Sequence, residues 1–209
     1  MKAFDIITET DARTLEIGSS VTLKPGGHVT PLAADTLKAR RITVHGGVAE
    51  ASLDGLAPVA PVRALAIGSD HGGVALKAAL RDYLRQKGLS VLDVGTDGPE
   101  SVDYPDIAAQ AARLVARKEV DAAIVIDGAG IGSAIAANKI DGVRAAMCND
   151  KTLARYAREH NGANVLTLGA TLISVDDAKA IVDTWLATPM GEARYLRRLA
   201  KIRALEKTQ

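Results

Sequence analysis

From about residue 62 onwards, the chain repeats one pattern of hydrophobic and polar positions. A short apolar run is followed by a glycine-containing turn and then by a longer segment in which apolar residues recur with a period near 3.6. Such runs are typical of strands buried on both faces, and the periodic segments are typical of amphipathic helices. The predicted strands are 64–67, 90–94, 122–126, 143–147 and 164–168. The predicted helices are 74–87, 105–117, 132–139, 151–160, 176–187 and 191–206.

Strands that alternate with helices predict βαβ units. Because their crossovers are right-handed, these units give a parallel sheet with helices on both faces. The sequence therefore predicts an α/β fold with a doubly wound, Rossmann-like sheet of about five strands. In such sheets ligands bind beyond the carboxyl ends of the strands, so the polar residues that follow the strands are the candidates for function.

The beginning of the chain follows another pattern. Short alternating pieces at 20–23 and 42–44, a Pro-Gly-Gly turn at 25–27 and a helical stretch at 31–41 predict a small module with a marginal core. Glycine, proline and small residues then replace any apolar period. We therefore expect an N-terminal module at 1–45, a linker at 46–61 and an α/β domain at 62–209.

Composition narrows the classes of function. The 209 residues include 26 basic and 25 acidic side chains and few aromatic ones, which argues against nucleic-acid partners. The only cysteine, Cys148, excludes an intramolecular disulfide, and no apolar run reaches the roughly 20 residues of a membrane-spanning helix. No charged-then-apolar signal sequence is predicted, so we expect a cytoplasmic protein without membrane partners.

Two polar clusters follow predicted strands. Residues 68–73 read Gly-Ser-Asp-His-Gly-Gly, a strand-to-helix turn whose backbone N–H groups can meet an anion; a simple N-cap explains Asp70 but not His71. Residues 128–132 read Gly-Ala-Gly-Ile-Gly, which is one residue short of the dinucleotide fingerprint, so a nicotinamide cofactor is not expected. Asp127 precedes this loop and is either a proton-accepting base or an ordinary turn residue.

Two further clusters lie nearer the carboxyl terminus. His160 ends a predicted helix, a position where histidine commonly binds the last carbonyls. Arg194 and Arg198 are four residues apart, so both guanidinium groups share a helix face that suits a phosphate. A solvated basic face is the alternative for this pair.

Taken together, the motifs resemble the ribose-5-phosphate isomerase type B and galactose-6-phosphate isomerase family. The matching stretches are 68–73, 102–106, 127–132, 136–139 and 158–166. The resemblance implies an aldose–ketose isomerase that needs no metal or other cofactor. It also implies a homodimer or tetramer whose active sites are shared between subunits.

The same resemblance implies a role for each matched residue. Asp70 and His71 contact the sugar phosphate, Asn161 binds substrate, and His160 assists ring opening. The backbone of Gly128, Ala129, Gly130, Ile131 and Gly132 holds the enediolate oxygens, and Arg194 and Arg198 hold the phosphate from the neighbouring subunit.

Two positions depart from the family pattern. Asp127 stands where the family usually carries its cysteine base, and aspartate, with a reference pKa near 3.9, is a weak base unless burial raises that pKa. Thr171 stands where an arginine usually follows Gly-Ala, and the loss of one cation weakens a phosphate site or indicates another substrate.

The leading hypothesis is interconversion of ribose 5-phosphate and ribulose 5-phosphate through an enediol(ate), with Asp127 as base. The alternatives are an isomerase of another pentose or hexose phosphate, and a catalytically silent sugar-phosphate-binding protein. Residues 5–44 also look like the N-terminal module of ethanolamine-utilisation and related bacterial microcompartment enzymes. That likeness implies shell or cargo partners and a location in such a compartment, whereas a decoration that stabilises the oligomer is the alternative. Residues 1–60 are expected to be dispensable for chemistry.

Overall fold

The computed structural model describes residues 2–46, 55–190 and 193–206. The chain divides into two compact units, Met1–Ser52 and Leu53–Gln209. Their boundary falls within the segment that the sequence predicts as a linker. In the described ranges, no helix is both long enough and apolar enough to cross a membrane.

The first unit is a three-stranded parallel sheet with two helices. The strands β1 (Ala3–Ile7), β2 (Ser20–Val29) and β3 (Thr43–Gly46) pair in that order, and the helices are α1 (Glu9–Thr14) and α2 (Pro31–Ala39). Its buried core contains Ile7, Ala12, Val21, Leu23, Ala33, Leu37 and Ile42. The sequence pattern did not predict β1 or α1. The predicted Pro-Gly-Gly turn lies inside β2, where the register with β1 shifts.

The second unit contains the predicted five-stranded parallel sheet. Its strands are β4 (Ala64–Ser69), β5 (Ser90–Asp93), β6 (Ala122–Asp127), β7 (Ala145–Met147) and β8 (Val165–Gly169), in the spatial order β5-β4-β6-β8-β7. Every residue of β6 and β8 is buried, as expected for strands covered on both faces. The doubly wound α/β fold is confirmed.

Six helices flank this sheet in the described part of the second unit. They are α3 (Val74–Gln86), α4 (Tyr104–Ala116), α5 (Ile131–Ala137), α6 (Lys151–Glu159), α7 (Val175–Ala187) and α8 (Ala193–Glu206). Alternate residues of β6 supply two apolar clusters: Ile124 packs with α3, α6 and α7, and Val125 packs with α4 and α5. The period-2 alternation of the strands thus fills a core on each face.

The strand register places several turns at one level. Ser69 of β4 lies opposite Ile126 of β6, and Asp127 lies opposite Gly169 of β8. The turns that follow these strands therefore meet at one edge of the sheet, which we call the carboxyl edge. The residues that precede β7 and β8, Arg144 and Asn164, lie at the opposite edge, which we call the amino edge.

The second half of the predicted linker belongs to the second unit. Leu56 is 1% exposed, and the backbone carbonyls of Leu56 and Val59 accept hydrogen bonds from Arg144 and Arg158. Residues 55–59 are therefore packed and bonded and do not form a free connection. The first half of the predicted linker falls largely on residues 47–54, which lie outside the described residues.

Candidate active site

The turn after β4 holds Asp70 and His71 at the carboxyl edge. The Asp70 carboxylate accepts hydrogen bonds from the N–H groups of Gly72 at 3.0 Å and Gly73 at 3.2 Å, and so caps a short 3-10 helix before α3. The His71 side chain is exposed, and its Nδ1 accepts the backbone N–H of Val102 at 3.4 Å. This contact ties two of the matched motifs together.

Asp127 ends β6 and points its carboxylate into the glycine loop that follows. Oδ1 accepts the N–H of Ala129 at 2.8 Å and the N–H of Gly130, and Oδ2 accepts the N–H of Ser133 at 2.8 Å. Burial raises the pKa of Asp127, but the hydrogen bonds from Ser133, Gly130 and Ala129 outweigh burial and hold that pKa below its ordinary value. The carboxylate is thus ionised at neutral pH, but its pKa is lowered and not raised, so Asp127 does not meet the condition stated above for a stronger base.

The three glycines of the loop differ in what an added side chain would meet. Gly130 has φ near +79°, which favours glycine, and a Cβ there would lie 2.9 Å from the carbonyl carbon of Leu168. A Cβ on Gly132 would lie 2.5 Å from the ring of Tyr104, whereas the space around Gly128 is open. Only Gly128 therefore leaves room beside the backbone for a ligand.

Two threonines hold the carbonyls of the same loop. The hydroxyl of Thr167 donates to the Gly130 carbonyl at 2.6 Å, and that of Thr171 donates to the Gly128 carbonyl at 2.6 Å. Thr171 thus anchors the loop at the position where a family arginine was expected. Tyr104, whose ring lies beside Gly132, has no role assigned from the sequence, although it belongs to the matched stretch 102–106.

His160 and Asn161 lie away from this cluster. They follow α6, which runs back from the end of β7 to the amino edge before β8 begins. Asp127 is level with the end of β8, and this five-residue strand is about 17 Å long. A single chain therefore does not bring Asp127 and His160 together.

The His160 ring is held between two aromatic rings. The centroids of Tyr156 on α6 and Tyr195 on α8 lie 4.8 and 4.7 Å from that of His160. Arg198 is exposed, and its guanidinium carbon lies 5.8 Å from the centre of the Tyr195 ring. Arg198 and His160 therefore lie beside the same ring, that of Tyr195. Arg194 is part of α8, but its side chain lies outside the described residues.

Cys148 does not supply the cysteine that is missing before the glycine loop. Its thiol is buried after β7, and burial raises its pKa to about 12, so it stays protonated at neutral pH. In the part of the chain that the structure describes, no group of three or more His, Cys, Asp or Glu side chains could hold a metal ion.

A known protein family matches this chain. Its profile, described as Ribose/Galactose Isomerase, matches residues 65–202, which include both the group around Asp127 and the group around His160. This chain belongs to that family. Membership confirms the resemblance seen in the motifs, and it makes the chain an isomerase. It thereby decides between the enzyme and the silent binding protein that the sequence left open.

Individual relatives match more than half of this chain. Ribose-5-phosphate isomerase B of Escherichia coli (strain K12) is 41% identical over 145 residues, which cover 69% of this chain and 97% of that protein. D-erythrulose-4-phosphate isomerase of Pectobacterium atrosepticum is 42% identical over 123 residues, or 58% and 81% of the two chains. The structure of Clostridium thermocellum ribose-5-phosphate isomerase B matches with a TM-score of 0.68 and 48% identity, and covers 69% and 97%. The chain is thus of the same sugar-phosphate isomerase class as these relatives.

Proposed function

We propose that this isomerase interconverts ribose 5-phosphate and ribulose 5-phosphate through an enediolate. One observation carries the proposal: an ionised, buried carboxylate, Asp127, lies inside a glycine loop at the carboxyl edge, beside the turn with Asp70 and His71. Two relatives named above are ribose-5-phosphate isomerases, which supports the choice of a five-carbon substrate.

In the proposed mechanism, Asp127 moves the proton. The C2–H bond of the open aldose breaks and its proton passes to the Asp127 carboxylate, while the electron pair forms the C1–C2 double bond and the C1 carbonyl oxygen becomes the oxyanion. The hydroxyl proton of O2 then passes to O1, so that O2 carries the charge. As the C2=O2 carbonyl forms, C1 takes the proton back from Asp127. Asp70 and His71 contact the sugar phosphate during these steps.

The N–H donors of the loop serve two anions in turn. Before reaction, the amides of Ala129, Gly130 and Ser133 bind the Asp127 carboxylate. When the carboxylate takes up the proton, its negative charge passes to the enediolate, and these donors are released to the new oxyanion. The N–H groups of Ile131 and Gly132, in the first turn of α5, have no acceptor within the helix and are available to the same oxygen.

A second subunit completes the proposed site. In this proposal His160 opens the sugar ring, and Arg198 binds the phosphate together with Arg194. His160 and Arg198 lie together beside Tyr195, about one strand length from Asp127. A homodimer, or a tetramer built from such dimers, brings the amino-edge group of one chain to the carboxyl edge of another. Asn161 accompanies His160 and contacts the substrate.

A four-carbon sugar phosphate is the second candidate substrate. One relative is a D-erythrulose-4-phosphate isomerase, and Thr171 replaces an arginine expected in the phosphate site. The test is kcat/KM measured against a panel of tetrose, pentose and hexose phosphates. The proposal expects the highest value with ribose 5-phosphate, whereas a tetrose phosphate in first place would replace it.

The first unit is proposed to serve location or assembly. It has a hydrophobic core of its own, and the family match begins only at residue 65. In line with the likeness to microcompartment enzymes, we expect shell or cargo proteins to co-purify with the full chain in cells that build such compartments. Deletion of residues 1–52 should abolish that co-purification, and an unchanged distribution of the truncated protein would exclude targeting.

A further inference from the structure

A partly buried arginine connects the end of the predicted linker to the loop that follows His160. Arg144 precedes β7, and burial lowers its pKa. Its Nε donates to the carbonyl of Gly162 at 2.9 Å, and its Nη2 donates to the carbonyl of Leu56 at 2.9 Å. One guanidinium group therefore holds two segments that are far apart in sequence.

A second arginine repeats this arrangement, one residue later in the loop and three residues later in the linker segment. Arg158 is fully buried on α6 with its guanidinium carbon 4.6 Å from the centre of the Trp185 ring. Its Nη1 donates to the carbonyl of Ala163 at 2.9 Å, and its Nη2 donates to that of Val59 at 3.1 Å. Among the described residues no carboxylate forms an ion pair with Arg158. Two backbone carbonyls and one ring therefore replace part of the water that this charge has lost, while its Nε has no hydrogen-bond partner in the described part of the chain.

The loop is also closely packed. Gly162 has φ near +53°, and a Cβ at this position would lie 2.9 Å from Cδ1 of Leu199 on α8 and 3.3 Å from Cδ of Pro58. Leu56, at the start of the contacting segment, is almost wholly buried. The backbone directly after His160 is therefore fixed between α8 and residues 55–59.

We propose that residues 55–59, Arg144 and Arg158 form a clamp that positions His160 and Asn161 for the reaction. The clamp touches the backbone after these two residues and not the substrate, so its arginines are positioning residues. The inference rests on the proposed function for the roles of His160 and Asn161. It also gives residues 55–59 a part in the active site. Moving them removes an acceptor from the partly buried guanidinium group of Arg144 and from the buried one of Arg158, and a buried donor that loses its acceptor is costly.

The test follows the His160 ring directly in the full-length protein. Because the ring lies between Tyr156 and Tyr195, its Hε1 proton resonance is displaced by ring currents, and loss of the signal in His160→Gln assigns it. The clamp variants are Arg144→Lys and Arg158→Lys, which keep the charge but cannot reproduce the forked pair of bonds, and Leu56→Ala, which loosens the segment. The control is Arg113→Lys, an exposed arginine on α4.

The clamp variants should move the His160 resonance toward that of a free histidine and leave the His71 resonance in place. They should also lower kcat with ribose 5-phosphate by about tenfold to a hundredfold with little change in KM, as expected for a misplaced group. The control should change neither quantity. An unmoved His160 resonance in the folded variants, or a moved resonance with unchanged kcat, would overturn the proposal. If the wild-type chain does not turn over ribose 5-phosphate, the proposed substrate fails, while the resonance still tests the clamp.

Discussion

The two edges of the main sheet hold their candidate site residues by different means. At the carboxyl edge, Asp127 is held by three N–H groups that all lie within the next six residues, so the arrangement is local in sequence. At the amino edge, His160 depends on Tyr195 and on the clamp, whose Arg158–Val59 bond joins residues 99 positions apart. One half of the proposed site is therefore a property of a single turn, whereas the other half depends on contacts across the whole second unit.

Removal of the proposed base should have the largest effect at the carboxyl edge. Asp127→Asn keeps the size of the side chain but cannot accept a proton, so kcat should fall by about 10² to 10⁴ with little change in KM. The matched control is Asp176→Asn, a highly exposed carboxylate on α7, which should be silent. Steady-state rates near wild type for Asp127→Asn would remove the residue from the mechanism.

The pH dependence should separate an aspartate base from a cysteine base. Because hydrogen bonds depress the pKa of Asp127, this group should impose no loss of kcat/KM until the pH falls below about 4. Asp127→Cys should retain activity, and the acidic limb of its profile of kcat/KM against pH should move up toward the thiol pKa of about 8.5. Identical acidic limbs in the two proteins would contradict the assignment.

The same depressed pKa has a consequence for folding. A carboxyl whose pKa is lower in the folded than in the unfolded state stabilises the fold above the unfolded pKa of about 3.9, and this contribution is lost as pH falls through the folded value. Urea unfolding should therefore show a smaller difference between wild type and Asp127→Asn at pH 3 than at pH 7. A difference that does not shrink would mean that the hydrogen bonds do not depend on the charge.

At the amino edge, loss of a phosphate-binding arginine should weaken substrate binding. Arg198→Ala should raise KM by about tenfold or more, in line with about 1.5–3 kcal/mol for a hydrogen bond to a charged group, and Arg194→Ala should do the same. Arg197→Ala is the control, because Arg197 is also exposed on α8 one position away. If all three variants kept KM, a solvated basic face would be the better interpretation.

Two truncations should show which residues before the family match contribute to the active site. Deletion of residues 1–52 should leave kcat/KM within about threefold, an effect below about 0.7 kcal/mol. Deletion of residues 1–60 also removes the Leu56 and Val59 carbonyls, so kcat should fall by about tenfold. This prediction departs from the expectation from sequence that residues 1–60 are dispensable for chemistry. Equal activity of the two truncated proteins would restore it.

The differences between sequence and structure follow the same division. Period and glycine turns were enough to place the five strands and the polar residues at their carboxyl ends, because these signals are local. The sequence also places Asp127 before the loop. It does not show that the Asp127 carboxylate accepts hydrogen bonds from the N–H groups of the loop, because that depends on the rotamer of this side chain. The clamp could not be predicted: residues 55–59 look like a linker by composition, and their partners lie about 90 to 100 residues away.

Complementation between two inactive chains tests most directly whether two subunits share one active site. Asp127→Asn and His160→Gln chains, each nearly inactive alone, are denatured, mixed and refolded together, and the isomerase activity of the mixture is measured. If each site takes Asp127 from one chain and His160 from another, half of randomly assorted dimers are mixed and one of the two sites in each is intact, so about a quarter of the wild-type activity should return. A mixture no more active than the average of its two parents would contradict the shared site.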